Sequence, residues 1–106
     1  MPVRVRNIHD LRADDERYQS LRARLIAEWR EEGGEAPAPD IEELTNAQGR
    51  TAQVTVSWDA WSDLDAQTRS EMIVDAFKAV RGTEAVVDLS LAIGLTPAEA
   101  RRLRRG

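Results

Sequence analysis

The side chains able to do chemistry are few, and their spacing suits little of it. His9 is the single histidine and cysteine is absent. A nucleophile–histidine–carboxylate arrangement needs its histidine close to both partners, and His9 sits in a polar stretch near the start, where it reads as solvent-exposed. Disulfides, thiolate catalysis and cysteine-held zinc or iron–sulfur clusters are excluded by count. Asp59, Asp63 and Asp65 crowd around Trp61. A calcium loop requires a glycine at its sharp turn and a late bidentate glutamate. The stretch Asp59-Ala-Trp-Ser-Asp63-Leu-Asp65 has neither, so these acids read as helix caps and solvated charge. Glu31, Glu32, Glu35, Asp40, Glu42 and Glu43 likewise read as solvated charge. The glycines at 33, 34, 49, 82, 94 and 106 form no phosphate-binding spacing. No catalytic residue, metal or cofactor is therefore expected.

Two features stand apart from this inventory. The run Arg101-Arg102-Leu103-Arg104-Arg105 concentrates four cations near one end of a chain whose net charge is −4. It either compensates a helix C-terminus or meets nucleic-acid phosphates. The second feature is Trp61, one of three tryptophans among only five aromatic residues. Trp29 and Trp58 fall on apolar stripes and read as core. Trp61 falls in a polar connection, either packed under the following helix or exposed to anchor a partner, a role in which tryptophan is enriched.

The elements that must hold these residues fit one small α+β domain. The chain has 106 residues, 42% hydrophobic and 32% charged, enough for one core. Tyr18, Leu21, Leu25 and Trp29 recur at helical spacing and predict a helix over 14–31. Pro37 and Pro39 bar regular helix, and the stretch 33–50 reads as a flexible loop, with one turn at Ile41–Leu44 and another at Asn46–Gly49. Thr51 to Trp58 is β-branched and alternating, and predicts a strand over 51–58. A second helix spans 65–81, capped by Asp65 and stopped by Gly82. Over 86–94, Val87, Leu89, Leu91 and Ile93 alternate with smaller or polar residues, which predicts a strand. A helix capped by Thr83 is the alternative. A strand there gives 51–58 a partner, parallel to it because a helix crosses between. Thr96-Pro97-Ala98-Glu99 opens a last helix over 97–105 with a capping box. Val3 and Val5 alternate with Arg4 and Arg6, as a short edge strand or a tail. No apolar run is long enough to span a membrane, and the N-terminal residues lack a secretory signal's apolar stretch. A cytoplasmic location is the expectation.

From 54 to 99 the pattern resembles the BolA-like family. Val54-Thr-Val56-Ser57 is followed by Trp61, Leu64 and a helix led by Arg69. Leu89-Ser90-Leu91 and Thr96-Pro97-Ala98-Glu99 then match a later strand and helix start of that family. The resemblance covers somewhat under half the chain and implies an αββαβ-type fold. Where the family usually has a histidine directly after the arginine, its link to an iron–sulfur cluster shared with a monothiol glutaredoxin, this chain has Ser70. The family's glycine before the leucine is Asp63.

The expectation is thus a non-enzymatic interaction or adaptor module, BolA-like but without the cluster-binding histidine. It would bind a protein partner through Trp61, Asp63 and Arg69. Two alternatives stand beside it: nucleic-acid binding through Arg101, Arg102, Arg104 and Arg105, and an acidic inhibitor or immunity-type protein.

Overall fold

The computed structural model describes residues 16–32 and 38–105, and side chains as far as 103. His9 and the alternating segment around Val3 and Val5 lie outside the described residues, as does 33–37 of the expected loop. The order is α1 (Glu16–Trp29), β1 (Asp40–Thr45), β2 (Thr51–Ser57), a 3₁₀ turn (Asp59–Trp61), α2 (Ala66–Arg81), α3 (Thr83–Val87), β3 (Leu91–Leu95) and α4 (Pro97–Arg105). This is a small α+β fold with one three-stranded sheet in the order β1-β2-β3. β1 pairs antiparallel with β2, and β2 pairs parallel with β3.

The two large helices form where their apolar spacing places them. α1 buries Tyr18 and Leu25, and α2 buries Met72, Ile73, Ala76 and Phe77. Asp65 caps α2 by accepting from the Thr68 amide at 2.8 Å. Gly82, at φ 94°, ends it in a conformation that suits glycine. Both helices lie on one face of the sheet, over Val54 and Val56. Trp29 meets Phe77 with ring centroids 5.6 Å apart, and Arg81 stacks over Phe77 at 5.7 Å.

Two expectations are corrected here. The loop over 33–50 contains a strand, β1, and Ile41–Leu44 is part of it rather than a helical turn. Ile41 and Leu44 are three apart, which suggests a turn, yet in the strand they fall on opposite faces. The turn at Asn46–Gly49 is present. The Asn46 side-chain oxygen accepts from the amides of Gln48 and Arg50 at 2.9 and 3.0 Å, and Gly49 takes φ 79°. The strand expected over 86–94 is Leu91–Leu95 instead, and 83–87 is helical. Ala85, Val86 and Leu89 pack against the core from this helix and its exit, a burial that a strand beginning at 86 would not give.

Candidate interaction surface

Register sorts the sheet residues into two faces. Ile41 and Glu43 of β1, Val54 and Val56 of β2, and Ala92 and Gly94 of β3 line up toward the helices. The other face carries three rows: Leu44–Gln53–Leu91, Glu42–Thr55–Ile93 and Asp40–Ser57–Leu95. None of these nine residues is buried. Leu44 is 58% and Leu91 46% exposed.

The apolar alternation of the third strand is therefore turned inside out. Its small residues face the core and its large ones face away. Gly94 shows why. A Cβ there would lie 2.7 Å from the Arg69 Cβ and 3.1 Å from the Trp61 ring. α2 and the 3₁₀ turn press so closely on β3 that only glycine and alanine fit beneath them.

Trp61, Asp63 and Arg69 do not form one exposed surface. Trp61 is fully buried. The turn Asp59–Trp61 folds its ring back under the sheet end, where its indole N–H donates to the Val56 carbonyl at 3.0 Å and its ring meets Trp58 edge-on at 5.1 Å. As a partner anchor it is corrected to a core residue. Asp63 accepts both terminal nitrogens of Arg17, tying the loop to the start of α1. Arg69 is buried at 7% exposure. Its guanidinium donates to the Trp61 carbonyl at 2.7 Å, the Gly94 carbonyl at 3.1 Å and Glu99 at 2.8 Å. Loop, β3 and α4 are thus joined through one side chain. The neighbouring Ser70 donates to the Ala92 carbonyl at 2.6 Å, so Arg69 and Ser70 together occupy acceptors of β3 that would otherwise await another strand.

Where α4 leaves β3, a shallow cavity of about 420 Å³ opens. Its walls are Ala66 and Arg69 of α2, Ile93 and Leu95 of β3, and Glu99 and Leu103 of α4. Leu103 is 67% exposed. α4 is fixed at its start by the expected capping box: Glu99 accepts from the Thr96 amide at 2.8 Å, and the Thr96 hydroxyl accepts from the Glu99 amide at 3.3 Å. The Thr96 amide, then Arg69, hold the Glu99 carboxyl below the usual carboxylate range. Arg101 and Arg102 are exposed on α4, and Arg104 and Arg105 continue the same helix.

One polar centre was not anticipated from the sequence. Glu43 reads as solvated charge, yet on β1 it faces the helices and is half-buried. It accepts from the Trp29 indole at 3.0 Å, the Thr51 hydroxyl at 2.7 Å and Arg81 at 2.7 Å. Burial pushes its pKa up, and the hydrogen bonds from Thr51, Trp29 and Arg81 outweigh that and hold it below the ordinary value. The only signal available was its alternation with Ile41, which means something only once 40–45 is known to be a strand. Tyr18 also donates to Asp75, and burial followed by that bond raises the phenol's pKa.

Among the described residues no group of three or more His, Cys, Asp or Glu could hold a metal ion, and no helix is long and apolar enough to cross a membrane. Compared with known proteins, the chain matches no family model, and no curated protein or solved structure matches it.

Proposed function

We propose that this chain is a non-enzymatic interaction module of BolA-like or similar kind, and that it binds through the outer face of the sheet and the adjoining wall of α4. The observation that carries the reading is the inversion of β3. Leu91, Ile93 and Leu95 stand on the side away from α1 and α2 while Ala92 and Gly94 serve the core. Burying large aliphatic side chains contributes roughly 1.5–3 kcal/mol each, and here much of that is left unused by folding. Leu44 and Leu103 extend the same apolar surface. Exposed apolar ground of this kind, rimmed by charge, marks protein contact sites.

The order α–β–β–α–β, with an antiparallel first pair and a parallel second, supports the BolA-like part of the reading. The iron–sulfur link of that family does not fit these residues. Ser70 stands at the histidine position, and its hydroxyl is engaged with the Ala92 carbonyl. A cytoplasmic location belongs to the same proposal and rests on the lack of cysteine.

The test is Leu103→Glu against Lys78→Glu, a control on exposed α2. Proteins captured from a lysate of the source cell by the parent chain should be lost with Leu103→Glu and kept with Lys78→Glu. Capture that survives Leu103→Glu would move the surface elsewhere.

A second reading, nucleic-acid binding, is favoured by Arg101 and Arg102 standing exposed on one helix. It requires binding that weakens steeply with salt and vanishes when 101–106 are removed. Salt-independent binding, or none, would set it aside.

A further inference from the structure

Resting on the outer face as the binding surface, we propose that its occupant is a second copy of this chain. The face is self-complementary in a way that fixes one arrangement. β1 brings Asp40 and Glu42 to one side; β3 leads into α4 with Arg101 and Arg102 on the other. A closed dimer uses the same patch on both copies. A two-fold axis along the strands lays β1 of each copy across β3 of the other. The row Leu44–Gln53–Leu91 then meets the same row reversed, with Leu44 over Leu91 of the second copy, Gln53 facing its own equivalent, and the acids of β1 turned toward the second copy's α4. A two-fold axis across the strands instead stacks Asp40 and Glu42 on their own equivalents, which repel. Pairing β1 edge to edge in an antiparallel manner brings the same acids together. At the other edge, the Ala92 and Gly94 carbonyls are already engaged by Ser70 and Arg69. Charge thus selects the face-to-face arrangement with strands aligned.

The size of the face sets the strength. Three strands over five residues cover roughly 15 by 17 Å from strand spacing and rise. Even with α4 added this falls short of the roughly 800 Å² per partner of a standard interface. The dimer is therefore weak and concentration-dependent, and ionic strength loosens it.

The competing arrangement lies within one chain. Arg101 lines a cavity with Asp40 and Asp59 of its own copy, and acids and bases satisfied there have no need of a partner. Charge exchange in trans separates the two. Sedimentation velocity on the full chain over a broad concentration range should show the parent passing from monomer to dimer. Asp40→Lys/Glu42→Lys alone, and Arg101→Glu/Arg102→Glu alone, should each raise the dimer dissociation constant about tenfold or more, since each places like charges across the interface. All four positions are exposed, so both variants should keep the parent's circular dichroism. Mixed in equal amounts, the two variants should dimerise again, because every contact then joins opposite charges. A parent that stays monomeric at all concentrations, single variants that dimerise as the parent does, or a mixture that stays monomeric would each overturn the proposal. The loss of capture by Leu103→Glu remains open to test in every one of these cases, so the binding surface and its occupant fail separately.

Discussion

The two faces of the sheet use the same strands for opposite ends. On the inner face, Trp61 is fully enclosed, Arg69 spans three elements, and Gly94 leaves room for both. On the outer face, larger aliphatic side chains stand half-exposed with uncharged polar residues between them. Residue size is thus inverted relative to the usual expectation for β3. The inner face is filled from the opposite side, by side chains of α2 and the 3₁₀ turn, so the strand contributes backbone and little else. The lesson is that an apolar residue in an alternating strand identifies a face, and only its neighbours decide whether that face is core.

Substitutions should separate the faces in a graded order. Trp61→Ala removes the largest buried side chain and should cost about 3–5 kcal/mol, a large part of the roughly 5–15 kcal/mol of a domain this size. Chemical denaturation would show it, and a cost under about 1 kcal/mol would return Trp61 to the surface. Gly94→Ala should follow, at about 1–3 kcal/mol, because its Cβ meets the backbone-proximal part of Arg69 rather than a mobile tip. Arg69→Met should cost about the same, leaving the Trp61 and Gly94 carbonyls without their donor. It should also speed hydrogen exchange in α4, since the tie to Glu99 is lost.

Glu43→Gln should cost less, about 1 kcal/mol at neutral pH, with a distinctive pH dependence. The folded-state pKa of Glu43 is depressed, so its contribution is present above the unfolded value near 4.3 and is lost as pH falls through the folded value. Parent and variant stabilities should therefore converge in acid. A constant difference across pH would contradict the three hydrogen bonds as the cause.

These contrasts also mark what the sequence made legible. Both long helices, the Asp65 cap, the Gly82 stop, the 51–58 strand and the capping box at Thr96 were readable, because each depends on local spacing or capping chemistry. The α+β class followed from them. What escaped notice depended on partners far along the chain. β1 has no apolar alternation of its own, since Ile41 shares its face with Glu43 and Leu44 shares its face with acids. Glu43 becomes a half-buried acceptor only because Trp29, Thr51 and Arg81 converge on it from three elements. Trp61 was correctly singled out, yet its indole finds the Val56 carbonyl through a turn whose sense the sequence did not reveal. Of the three residues first grouped as a binding site, only Arg69 borders the outer surface, as a wall of the cavity that it shares with Leu103.

The central claim is that the outer face serves association and contributes little to folding. Leu91→Lys, with stability and dimerisation measured on the same sample, tests it most directly. The account predicts a urea-unfolding free energy, measured at low protein concentration, within about 0.5 kcal/mol of the parent, as for an ordinary surface substitution, together with loss of the concentration-dependent dimer. A variant that loses stability as Gly94→Ala does and still dimerises like the parent would contradict it.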